Sequence, residues 1–118
     1  MAETEYKIAV ASSDGIVVNN HFGHAKTFYI FALKNDQIEH LETRHLEPVC
    51  ETGNHDEARL KENVERLSDC THLLAVRIGD GARAVLESYG ISCYEIPGVI
   101  PESIDKLVKY EKINELFK

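Results

Sequence analysis

His72-Leu73-Leu74-Ala75-Val76-Arg77-Ile78 is nearly continuous in its apolar character, with no polar residue at every second position. That pattern suits a strand covered on both faces, as in a sheet sandwiched between helices, rather than a half-solvated antiparallel one. Helical spacing flanks it on both sides. Before it, Leu60, Val64 and Leu67 recur at i, i+4 and i+7, and Asn54 with Glu57 three residues later is placed to cap the start. After it, Gly79-Asp80-Gly81 breaks the run, Ala82, Val85, Leu86 and Tyr89 form one apolar helical stripe, and Gly90 stands at a helix C-terminus. Ile91 to Ile96 reads as another strand, Pro97-Gly98 as a turn, and Pro101 as the opening of a last helix carrying Ile104, Leu107 and Val108. The apolar phase slips near Tyr110-Glu111, which predicts a bend or a stop and restart before Phe117.

The N-terminal third differs. Tyr6 to Ala11 is a short apolar run ending in the turn Ser12-Ser13-Asp14-Gly15, and Ile16-Val17-Val18 is a strand fragment. Thr27 to Leu33 is rich in aromatic and β-branched residues. Lys34-Asn35-Asp36-Gln37 turns it back into Ile38 to Arg44, a third strand whose alternation is blurred by Glu39, His40 and Glu42. The predicted order is β-β-β-α-β-α-β-α, an antiparallel meander followed by βαβ units whose right-handed crossovers make the later strands parallel. The fold class is α/β, a ribonuclease-H-like mixed sheet, and the chain (1–118) is read as a single domain.

Composition limits the function. The chain is 43% hydrophobic and 28% charged, as an ordinary globular protein is, and its net charge of −7 comes without any basic run. Nucleic acid is therefore not an expected partner, because binding that polyanion needs a basic face. No apolar stretch reaches the roughly 18 residues of a membrane span, and the start Met1-Ala2-Glu3-Thr4-Glu5 is no secretory signal, so no membrane is expected. Three unpaired cysteines, Cys50, Cys70 and Cys93, read as reduced thiols in the cytoplasm. Nothing in the sequence requires an oligomer.

Two segments could carry chemistry. In His21-Phe22-Gly23-His24-Ala25, two imidazoles three residues apart can turn toward one centre, and imidazole ligates iron, zinc, copper and nickel. Two surface or hydrogen-bonding histidines is the plainer reading of the same residues. In Cys50-Glu51-Thr52-Gly53-Asn54-His55-Asp56, a soft thiol and an imidazole precede a helix N-terminus, which favours anions. Here the alternative is a loop thiol and a helix-starting His55 or Asp56. His45, at the end of the third strand, is an outlying candidate ligand, whereas Cys70, Cys93, His40 and His72 read as core, junction or structural residues. Gly79-Asp80-Gly81-Ala82-Arg83-Ala84 fits a loose Gly-x-Gly-x-x-Ala pattern, but it follows the fourth strand with too little chain left for a dinucleotide domain, so a tight strand-to-helix turn explains its glycines. Nuclease chemistry needs clustered carboxylates holding two metals, and neither Tyr6–Ala11 nor His72–Ile78 carries an acid.

Lys7-Ile8-Ala9-Val10-Ala11-Ser12-Ser13-Asp14-Gly15, followed by His21-Phe22-Gly23-His24-Ala25, resembles the dinitrogenase iron–molybdenum cofactor biosynthesis family, which includes small NifX- and NafY-type carriers and the C-terminal domain of NifB-type proteins. Pro48-Val49-Cys50 to His55-Asp56-Glu57 and Arg77-Ile78-Gly79-Asp80-Gly81-Ala82 look like its later landmarks, and the likeness runs over about residues 7–108. The resemblance implies a carrier of the iron–molybdenum cofactor or its iron–sulfur precursor in nitrogenase assembly, with cofactor donor and acceptor proteins as partners. It implicates His21 in cofactor binding; His24, Cys50 and His55 are added from ligand chemistry, with His21, His24 and Cys50 as the metal ligands. The cysteine triplet with which NifB-type proteins build the precursor is absent from these 118 residues, so they are expected to bind a cluster and not to catalyse its synthesis. A divalent-metal (zinc) or regulatory binding module unconnected with nitrogen fixation is the alternative, followed by a hydrolase and by an interaction module with vestigial histidines.

Overall fold

The computed structural model describes residues 5–49 and 57–116. In chain order these form β1 (Glu5–Ala11), β2 (Val17–Val18), a single 3₁₀ turn (Phe22–His24), β3 (Thr27–Lys34), β4 (Gln37–His45), α1 (Glu57–Arg66), β5 (His72–Ala75), α2 (Asp80–Ser88), β6 (Ser92–Glu95), β7 (Gly98–Val99) and α3 (Ile100–Leu116). With the two-residue strands β2 and β7 set aside, this is the β-β-β-α-β-α-β-α order expected.

Five strands make one sheet in the order β4-β3-β1-β5-β6, and β2 pairs with β7 separately. The first half is a meander: β3 runs antiparallel to both β1 and β4. The second half is parallel, with Ile8 of β1 beside His72 of β5 and His72 beside Ser92 of β6. β1 lies at the junction and is buried on both faces. Ala9 and Ala11 pack toward α1 and α2, with Ile30, Leu60, Val64, Leu73 and Leu86. Ile8 and Val10 pack toward α3, with Phe31, Leu33, Leu74, Ile104 and Leu107. Each large side chain so buried contributes roughly 1.5–3 kcal/mol, and small alanines on one face let the helices approach closely.

Three expectations are corrected. The strand over His72–Ile78 ends at Ala75, because the backbone of Val76 and Arg77 leaves the ladder to bond the loop around His21. The last helix neither stops nor restarts; it runs unbroken to Leu116. The phase slip at Tyr110 marks where the helix outruns the core, so Tyr110, Ile113 and Leu116 are exposed. Gly79 and Gly81 are not forced by a tight turn: Gly79 has an ordinary extended φ of −61°, and a Cβ on either glycine would meet open space. Gly15 is different. Its φ is +75°, and an added Cβ would fall 2.7 Å from the Tyr29 ring. The proposed cap Asn54, and Phe117, lie outside the described residues.

β4 is the outer edge of the sheet. Its register against β3 shifts by one residue between Ile30 and Phe31, a bulge that places Leu41 without a partner. His40 folds its ring over Phe31 and Tyr29 and brings Nε2 to 3.0 Å from the Glu42 carbonyl oxygen. Arg44, on the same strand, reaches Asp69 with two nitrogens at 2.8 Å and ties the edge to the end of α1.

Candidate functional site

The loop that carries His21 crosses the C-terminal ends of β1 and β5. Asn20 N–H donates to the Ala11 carbonyl, Val76 N–H donates to the Asn20 carbonyl at 3.0 Å, and Phe22 N–H donates to the Arg77 carbonyl at 2.9 Å. His21 and Arg77 thereby form an isolated parallel bridge. The sheet changes from antiparallel to parallel neighbours at β1, and open α/β sheets commonly bind ligands beyond the strand ends at such a point.

Burial explains how the loop folds. Phe22 is 2% exposed and packs on Phe28 with ring centroids 5.7 Å apart, and Ala25 is 1% exposed. These apolar anchors close a 3₁₀ turn in which Ala25 N–H donates to the Phe22 carbonyl. In 3₁₀ geometry residues i and i+3 eclipse, so His21 and His24 fall on one side, both exposed, with centroids 6.2 Å apart. Neither ring hydrogen-bonds another described residue. An imidazole nitrogen sits about 2.0–2.1 Å from the metal it ligates, so both rings can reach one ion or one cluster after small rotations. Among the described residues no third histidine, cysteine or carboxylate completes a metal-binding group.

Cys50 and His55 lie outside the described residues. Their segment is bracketed by Val49, buried in the same core cluster as Phe22, and by Glu57, which borders a groove together with Gly81 at the start of α2. Among the described residues no N-cap side chain bonds the first turn of α2, which starts after Gly79. Arg77 is exposed beside the loop that its backbone holds.

Apart from His45, the remaining candidates are structural. Cys70 and Cys93 are buried, and burial pushes both thiols up to about 11, so neither presents a thiolate near neutral pH. His72 is fully engaged at the opposite end of β5, with Nδ1 2.7 Å from Thr71 Oγ1 and Nε2 2.6 Å from Glu111 Oε1. His45 is exposed at the end of β4, its Nδ1 3.5 Å from Thr27 Oγ1. Asp14 spends its carboxylate on the turn after β1. Bonds from the backbone N–H groups of Ile16 and Val17 hold its pKa below the usual carboxylate range.

One residue absent from the sequence reading belongs to this end of the fold. Glu95 Oε2 accepts from Ile78 N–H at 2.7 Å, next to the Arg77 bridge. No local signal marks it, since a glutamate closing a strand is unremarkable without the tertiary contact.

Comparison with known proteins agrees with the resemblance in the His21 segment. A sequence model of the family described as dinitrogenase iron–molybdenum cofactor matches residues 4–110. The FeMo cofactor biosynthesis protein NifB of Frankia alni is 34% identical over 103 residues, which is 85% of this chain and 20% of that protein. NifB of Chlorobaculum tepidum is 30% identical over 113 residues, 94% of this chain and 26% of its own length. The chain thus spans about a quarter or less of these relatives. The crystal structure of PH0822 superposes with a TM-score of 0.67 at 18% identity, covering 87% of this chain and 90% of that one, a likeness of fold. The chain belongs to the dinitrogenase iron–molybdenum cofactor family.

Proposed function

We propose that this chain carries an iron–sulfur-type cofactor, or a precursor of the iron–molybdenum cofactor, during nitrogenase cofactor assembly, and that it binds and releases its cargo without transforming it. The observation that carries this reading is the pair of exposed imidazoles, His21 and His24, on one side of a turn whose backbone is fixed to β1 and β5. A carrier must let go of its load, and few ligands on an open surface favour release. Cys50 and His55 are assigned as further ligands on chemistry alone, the thiolate matching a soft iron–sulfur cargo. In this reading the protein works in the cytoplasm, between cofactor donor and acceptor proteins, and needs neither membrane nor nucleic acid. The described helices include none long and apolar enough to cross a membrane. The strand order supports the finer reading of the fold as ribonuclease-H-like, yet the engaged carboxylate of Asp14 offers nothing to a hydrolase.

The test is anaerobic reconstitution of the chain with ferrous iron and sulfide, followed by elemental analysis and spectroscopy of wild type and His21→Ala. Wild type is expected to retain a cluster that the variant loses; equal retention overturns the role of His21. The alternative, a zinc or regulatory module, rests on the fact that both donors brought together are imidazoles, which suit zinc as well as iron. Stoichiometric zinc without sulfide in the purified protein would favour it.

A further inference from the structure

We propose that Glu95 is a positioning residue for the histidine loop. β6 pairs with β5 as far as Ala75 opposite Glu95, and Ile96 N–H donates to the Ala75 carbonyl as the last backbone contact on that side. Beyond it, the stretch Val76–Ile78 meets the loop with one edge, through Val76 N–H and the Arg77 carbonyl. On its other edge the β6 backbone has turned away, and the Glu95 carboxylate takes the place of a strand, accepting Ile78 N–H at 2.7 Å.

The carboxylate is itself oriented. Arg83 of α2 brings Nη2 to 3.6 Å from the same Oε2, while its Nη1 donates to the Cys93 carbonyl at 3.2 Å. A continuous series of bonds therefore runs from β6 through Glu95 to Ile78, then from the Arg77 carbonyl to Phe22 N–H and the backbone of His21. A bond to a charged acceptor is shorter and stronger than a neutral one, so this single side chain fixes the strand exit against which the loop is registered. Ile78 is 3% exposed and holds the other side of the turn in the core, which leaves rotation about the Arg77 peptide as the motion that Glu95 suppresses. The consequence for cargo rests on the carrier reading of His21; the consequence for the loop does not.

The experiment follows amide hydrogen exchange and iron–sulfide retention in the 118-residue chain. Glu95→Ala is expected to speed exchange at Ile78 and Phe22 roughly tenfold, the effect of losing a charge-assisted bond, with Ile8 and Leu74 in the central strands unchanged. Glu95→Gln keeps an acceptor oxygen at the same reach without the charge, and is expected to fall between wild type and the alanine variant in exchange and retention. After reconstitution with ferrous iron and sulfide, Glu95→Ala should retain less cluster than wild type and more than His21→Ala. Unchanged exchange at Phe22 in Glu95→Ala overturns the proposal, as does a Glu95→Gln variant that behaves like alanine. Should the alanine variant not fold, Glu95→Asp, one methylene too short to reach Ile78, takes its place with the same expected and overturning results. If His21→Ala keeps its cluster, the carrier reading falls while the exchange result still decides the role of Glu95.

Discussion

His21 and His72 stand at opposite ends of the same parallel strand pair, one just beyond it and one in its first rung, and have opposite surroundings. His72 is 9% exposed, lies tilted against Tyr6 with ring centroids 4.8 Å apart, and places its two nitrogens against Thr71 and Glu111. His21 is exposed, and only its backbone is fixed, by the bridge to Arg77. The first imidazole is used up in joining α3 to the sheet. The second hydrogen-bonds no other described residue through its ring and is presented on a backbone that Arg77 holds in register. A histidine's role follows from how many of its nitrogens the fold has already engaged.

That contrast can be broken in several ways. The largest effect is expected at Phe22, which joins the presented loop to the core. Phe22→Ala removes a fully buried ring and should cost about 3–4 kcal/mol in urea unfolding, while releasing the loop. His72→Ala comes next, at about 2–3 kcal/mol, because it opens a void and leaves Glu111 without its buried donor. Cluster retention in that variant should match wild type, and a loss would mean that the two ends are not independent. His21→Ala should shift stability by no more than about 0.5 kcal/mol, the usual range for an exposed residue, while abolishing iron retention. A large destabilisation there would show the imidazole to be structural after all.

The smallest effect is a pH dependence. Burial lowers the pKa of His72 from its ordinary 6.5, and the opposing pull of Glu111 only partly offsets this. The unfolded chain then takes up a proton at a higher pH than the folded one does. Stability from this group is therefore complete above 6.5 and declines as pH falls from there through the lower folded value. Unfolding midpoints measured between pH 8 and 5.5 should show that decline, and His72→Gln should flatten it.

Much of the fold was legible because burial dictates period. Leu60, Val64 and Leu67 announced α1, the run from His72 announced a strand covered on both faces, and Pro101 marked the start of α3. Legibility failed where tertiary contacts override local pattern. Val76 is as apolar as a strand residue should be, yet its N–H and the Arg77 carbonyl are drawn to the loop, and Tyr110 breaks phase where the helix leaves the buried core, its ring lying on Tyr94 of β6. At the site, the spacing of His21 and His24 allowed convergence, but the 3₁₀ turn that produces it depends on Phe22 finding Phe28. Glu95 was invisible, since its partner is a backbone N–H distant in sequence that only the β5–β6 pairing brings within reach.

The bulge in β4 has a bearing on life in a crowded solution. A nine-residue strand at the margin of a sheet is an invitation to further strands, and hence to fibrils or unwanted assemblies. Here the unpartnered Leu41 distorts the ladder, the His40 ring sits at the Glu42 carbonyl, and Glu39 and Glu42 add charge. The margin is thereby made a poorer template for further strands than a flat, regular edge would be.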